Sequence, residues 1–187
     1  MIMYVAQEQF DYPETDAPEA IDFAYPIEFM LADHDHQRVQ FALLERLADH
    51  PDAKDARTNA TEILAFLETK LPLHVQDEER DFFPLLRRRC EADDEFEVLL
   101  DLLQNEHAVN QEYYRNVLAP LRMIATGNKP PDLEAFCHWA RAFSIFERRH
   151  LAWENGTIIP LARKRLNAED LRGLGRNMAE RRGINLD

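Results

Sequence analysis

Glycine and cysteine are scarce in this 187-residue sequence, five and two respectively, and no lysine or arginine occurs before Arg38. So few glycines argue against an all-β chain, which needs a turn residue every ten positions or so. The cysteines, Cys90 and Cys137, form neither a CxxC pair nor a disulfide framework and suit a reducing compartment. No apolar run approaches the ~18 residues of a membrane span, and no basic segment in Met1–Phe10 precedes an apolar one, so no secretory leader is expected. Positive charge is short overall, 22 bases against 35 acids, for a net −13. Without a basic face, nucleic acid is a poor partner. The expectation is a cytoplasmic protein with neither membrane nor nucleic-acid partners.

What is present is 45% apolar, enough to bury a core. The length fits one domain with an arm. Residues 1–26 read as an acidic arm interrupted by Pro13, Pro18 and Pro26. Helical spacing then sets in. Ile27, Met30, Leu31, His34, Phe41 and Leu44 predict a helix to about Asp49. Ile63, Phe66, Leu67, Leu71, His74, Glu78, Phe82 and Leu85 predict a second from about Asp55 to Arg89, with kinks or restarts at Pro72 and Pro84. A third runs from about Asp94 to Ala125, ahead of Gly127, Pro130 and Pro131, and a fourth from about Asp132 to Arg165. A short fifth follows Asn167, a suitable N-cap, and ends near Gly183. This pattern predicts an all-α fold: an antiparallel up-down-up-down four-helix bundle over 27–165, preceded by the acidic arm and followed by a C-terminal helix and tail over 166–187.

The histidines carry the chemistry. Glu78 follows His74 by four residues and Glu154 follows His150 by four, against a chance expectation of about 1.3 such pairs. An isolated HxxxE is usually an exposed helix pair worth a few tenths of a kcal/mol. The context here is more specific. His74-xxx-Glu78-xxx-Phe82-Phe83-Pro84-Leu85 and His150-xxx-Glu154-xxx-Ile158-Ile159-Pro160-Leu161 are two copies of one pattern, and each is preceded by an acid–His dipeptide, Asp33-His34 and Glu106-His107. The chain reads as two copies of one helical hairpin. In a bundle of two hairpins, four imidazoles and two carboxylates would converge on the core, where a metal ion is the least costly way to hold ionised carboxylates. Nitrogen and oxygen donors without cysteine favour a pair of irons, with zinc or manganese as competitors. For the first helix, His34 fits the stripe of Ile27, Leu31 and Phe41, whereas His36 fits the alternative phase of Phe29, Val39 and Leu43.

The order His34, His74-xxx-Glu78, His107, His150-xxx-Glu154, with its two apolar-apolar-Pro-Leu tails, resembles the hemerythrin-like (HHE cation-binding) domain over about Ile27 to Arg165. The resemblance implies a non-haem, oxo-bridged di-iron centre that binds dioxygen at one iron. It makes His34, His74, His107 and His150 terminal ligands and Glu78 and Glu154 bridging carboxylates. Two departures stand out: Gln111 occupies the place of a further His, and the last carboxylate follows its His by four residues where the oxygen carriers have an Asp at five. The function expected is a protein that binds or senses dioxygen or NO. A di-iron oxidoreductase of peroxidase, NO reductase or ferroxidase type, or an iron-handling protein, is the alternative. Gln111, Tyr114 and Trp153 are the candidates to line the ligand pocket, and the acidic arm or fifth helix would meet any protein partner.

Overall fold

A computed structural model describes residues 23–91, 94 and 96–186. Of the expected acidic arm, residues 1–22 lie outside the described residues. Five helical runs make up the rest, with no strand among the described residues. Helix α1 is Pro26–Asp49, α2 spans 56–89, α3 is Glu97–Ala125, α4 spans 133–165 and α5 is Ala168–Arg181. α1 and α3 each pack against both α2 and α4, which closes a ring of four helices.

α2 and α4 run on through their prolines. Each proline stands two residues beyond a widened π-turn: Phe66–Lys70 before Pro72, Glu78–Phe82 before Pro84, and Glu154–Ile158 before Pro160. A proline in an α-helix lacks its N–H and collides with the carbonyl four residues back. In each wide turn the residue just before the proline instead donates its N–H to the carbonyl five residues back: Leu71 to Phe66, Phe83 to Glu78, Ile159 to Glu154. The kinks or restarts expected at Pro72 and Pro84 fall where a wide turn gives way to a fresh α-segment, Leu71–Asp77 and Phe83–Arg89.

The core is split into two apolar clusters. One gathers Met30, Phe82, Phe83, Leu100, Leu103, Ile158 and Met178; the other gathers Phe41, Leu44, Leu67, Val117, Leu121, Phe136 and Phe143. The inward-facing His of each of α1 to α4, and the Glu one turn beyond it on α2 and α4, fall between the two in sequence, so apolar side chains flank them on both sides along the bundle.

The basic clusters at the helix ends do more than offset helix dipoles. Arg87 reaches across to Glu97, Asp101 and Gln104 of α3. Lys164 and Arg165 hold Asp94, which is spent on that contact ahead of α3, so the helix starts at Glu97 rather than Asp94. Arg181 and Arg182 grip Asp77, and Arg181 also grips Asp81, which ties α5 to α2. Asn167 caps α5 in a reciprocal pair with Asp170.

α5 also lies against the chain entering α1. A Cβ on Gly175 would stand 1.9 Å from the Phe23 carbonyl oxygen, whereas one on Gly173 would meet nothing within 4 Å. Gly175→Ala should therefore cost about 1–3 kcal/mol through overpacking, while Gly173→Ala should gain about 0.5–1 kcal/mol from helix propensity. Urea unfolding followed by circular dichroism tests the opposite signs.

Candidate metal centre

Each ring helix delivers one imidazole to the middle of the bundle: His34 from α1, His74 from α2, His107 from α3 and His150 from α4. Glu78 and Glu154 follow one turn beyond the second and fourth. All six are buried. Their donor atoms form two groups, His34, His74, Glu78, Glu154 and Glu78, His107, His150, Glu154, and the atoms of each group lie within 4.8 Å of one another. Both carboxylates belong to both groups.

The imidazole Nε2 atoms face this shared pair. His74 Nε2 is 3.2 Å from Glu78 and His150 Nε2 is 3.1 Å from Glu154. His107 Nε2 is 3.3 Å from Glu78, and His34 Nε2 is 3.6 Å from Glu154. Proximity does not satisfy them. The Nε2 atoms of His34 and His74 and all four oxygens of Glu78 and Glu154 are buried without a hydrogen-bond partner. A native interior tolerates few such atoms. Six converging in one place, all of them good metal donors, fit a site for metal cations among the four imidazoles and the two shared carboxylates.

The outward nitrogens are held as ligating imidazoles usually are, with Nδ1–H given to an acceptor that fixes the ring and its tautomer. His74 Nδ1 meets Asp33 at 2.8 Å and His150 Nδ1 meets Glu106 at 3.0 Å. His107 Nδ1 meets Glu79 and His34 Nδ1 meets the Asn155 side-chain oxygen, both at 2.6 Å. With their outward protons committed, His107 and His150 approach Nε2 to Nε2 at 3.2 Å.

Of the two first-helix alternatives, His34 joins the cluster, and His36 stands edge-on to Phe66 with ring centroids 5.7 Å apart. Gln111 and Tyr114 border a cavity of about 290 Å³ that also reaches His74, His107 and His150. The Tyr114 hydroxyl is already committed, donating to the Leu67 carbonyl at 2.9 Å. Trp153 does not line this cavity and is 47% exposed. At about 100° per residue, Glu154 falls about 40° to one side of His150 and Trp153 about 60° to the other, toward solvent. The acceptors Asp33, Glu79, Glu106 and Asn155 have no role in the spacing pattern; the two acid–His dipeptides contain the first and third, but the His each acid holds lies on the next helix. Glu147, buried on the cavity wall, carries no motif at all.

A sequence model of the hemerythrin HHE cation-binding domain matches residues 25–162. A protein of Haemophilus influenzae described as an uncharacterized protein is 26% identical over 163 residues, covering 85% of this chain and 91% of that one.

Charge in the metal-free site follows from these contacts. Burial alone would drive protons off the imidazoles. For His74 the Glu78 and Asp33 carboxylates outweigh it, for His150 Glu154 and Glu106 do, and both rise well above the usual histidine range. His107, between Glu78 and Glu79, rises to about 9. Burial wins only at His34, which falls. Burial would likewise raise Glu78, yet His74 and His107 hold it well below the carboxylate range. In the metal-free site, protons on His74 and on one of the His107–His150 pair, whose Nε2 atoms at 3.2 Å leave room for a single proton between them, would supply positive charge that the carboxylates require. The folded protein binds these protons more tightly than the unfolded chain, whose histidines titrate near 6.5. Their stabilisation is complete below that pH and fades as pH rises through the folded values. Metal-stripped protein in chelator should lose about 5 °C or more of melting temperature between pH 6.5 and 9, read by circular dichroism. A flat or rising profile contradicts this charge assignment.

Proposed function

The chain belongs to the hemerythrin HHE cation-binding domain family, and from that premise we propose that it holds two non-haem irons and binds or senses dioxygen or NO. The observation that carries this reading is the pair of donor groups that share both Glu78 and Glu154. His34 and His74 would be terminal ligands of one ion, His107 and His150 of the other, with the two carboxylates bridging. Nitrogen and oxygen donors favour iron, with zinc or manganese as rivals. The helices are taken as one up-down-up-down bundle over 27–165, working inside the cell, where Cys90 and Cys137 stay reduced.

Iron in these positions supplies reversible binding of a diatomic ligand and one-electron chemistry. The chain's own residues do the rest. Asp33, Glu79, Glu106 and Asn155 fix the four rings and keep each Nε2 turned inward. The two apolar clusters exclude bulk water from the carboxylates. The cavity beside His107 and His150 leaves room for a small ligand.

One feature favours a second reading. Gln111, an uncharged amide, borders the cavity where the oxygen carriers have an imidazole, and one imidazole fewer suits turnover, as in a peroxidase, NO reductase or ferroxidase, better than stable carriage.

Anaerobic loading with Fe(II) followed by air should give two irons per chain and a near-ultraviolet to visible charge-transfer band. Metal at background levels in folded protein, or loading without the band, overturns the proposal. Glu78→Gln and Glu154→Gln should each weaken metal binding about 10-fold or more, and with it the metal-linked rise in melting temperature. Gln111→His should slow autoxidation, and a variant that autoxidises as fast as the parent refutes the role given to Gln111.

A further inference from the structure

The cavity contains a carboxyl that the metal centre does not use. Glu147 is 2% exposed, one turn before His150 on α4, and it lines the cavity. Among the described residues no Lys or Arg pairs with it. Among the described residues its one hydrogen bond comes from the Asn110 side-chain amide, and the Asn110 side-chain oxygen is itself buried without a partner.

The duplication shows that packing does not demand an acid here. The offset that carries His74 onto His150 carries Leu71 onto Glu147, and the one that carries His34 onto His107 carries Gln37 onto Asn110. All four line the same cavity, which has an apolar wall from the first half and a carboxyl from the second. The amides have diverged in the same way. Gln37 donates to Asp33, the acid that holds His74, at 3.3 Å. Asn110 has turned from the corresponding acid, Glu106, to Glu147. Leu71 fills its place at no electrostatic cost, whereas an unpaired buried carboxyl destabilises the fold. A ligand in the cavity is what the acid can serve.

We infer that Glu147, positioned by Asn110, is a ligand-selecting residue that accepts a hydrogen bond from a small ligand in the cavity and so favours neutral molecules bearing a proton, the hydroperoxide class, over anions. The inference rests on the reading of the six His and Glu side chains as a metal centre. It concerns binding alone. At pH 8, above the value of about 7 to which burial raises it, Glu147 on the wall attracts an O–H and repels an anion, so one residue should move the two kinds of ligand in opposite directions.

The test compares Glu147→Gln and Glu147→Leu with the parent in iron-loaded protein at pH 8. Iron content serves as the control on the metal centre, and the probes are azide and hydrogen peroxide, both read by absorbance. Azide should bind about 10-fold more tightly to both variants. Hydrogen peroxide affinity, taken from the concentration dependence of its stopped-flow signal, should stay within about 3-fold in Glu147→Gln, whose amide oxygen still accepts, and fall at least 10-fold in Glu147→Leu. Metal-free Glu147→Leu should melt above the parent. Azide and peroxide shifting together, neither shifting, or a metal-free Glu147→Leu that melts well below the parent overturns the inference. Should Glu147→Leu not fold, azide binding to Glu147→Gln decides alone. Loss of iron from the parent would instead count against the metal centre itself.

Discussion

Two buried carboxylates, with no arginine or lysine among the described residues to meet them, are the constraint on which the rest of the molecule turns. Glu78 and Glu154 are 0% and 1% exposed, and their charged neighbours are imidazoles. Uncompensated, either charge would cost more than the few kcal/mol by which a domain is stable. The bundle needs positive charge at its centre, from protons on the imidazoles or from metal ions, and the two compete for the same nitrogens.

The outer acceptors link this need to the fold. Asp33 on α1 holds His74 on α2, and Glu106 on α3 holds His150 on α4, each bond closing one hairpin. Glu79 on α2 holds His107, and Asn155 on α4 holds His34, each bond joining one hairpin to the other. The site is therefore also the place where the two halves are fastened. The symmetry is not complete: a carboxylate backs His107 where a neutral amide backs His34. The two ends of the centre meet different fields, and only at His34 does burial prevail over the neighbouring carboxylates.

Much of this was legible in the sequence. The helices and the convergence of six side chains follow from spacing, because period 3.6 places residues on a face and the repeat fixes which faces meet; the family follows from the resemblance of the ordered His and Glu motifs to a known domain. What escaped depends on information that spacing lacks. Asp33 and Glu106 could be marked as unusual, but which His each would hold depends on how neighbouring helices are rotated. Trp153 was misplaced because three residues from His150 is close along the helix yet on the solvent side of the stripe. The basic runs at helix ends find their partners on other helices, which spacing along one helix does not show. Glu147 is invisible to motif reading, since an acid between Phe146 and Arg148 is ordinary on a helix and only the packing shows that it points inward.

The wide turns preserve a history. A π-turn is most simply one residue inserted into an α-helix, and those beginning at Glu78 and Glu154 occupy matching places in the two halves. The third, Phe66–Lys70, has no counterpart, because α4 is regular through the matching residues 142–146. If the halves descend from a single ancestral hairpin, the insertion that begins at Glu78 and at Glu154 came before the gene doubled, and the one near Pro72 was gained or lost by one copy afterwards. A chain of half this length, pairing with itself, would already have possessed the carboxylate-bearing bulge, and the centre would be older than the monomer that now encloses it.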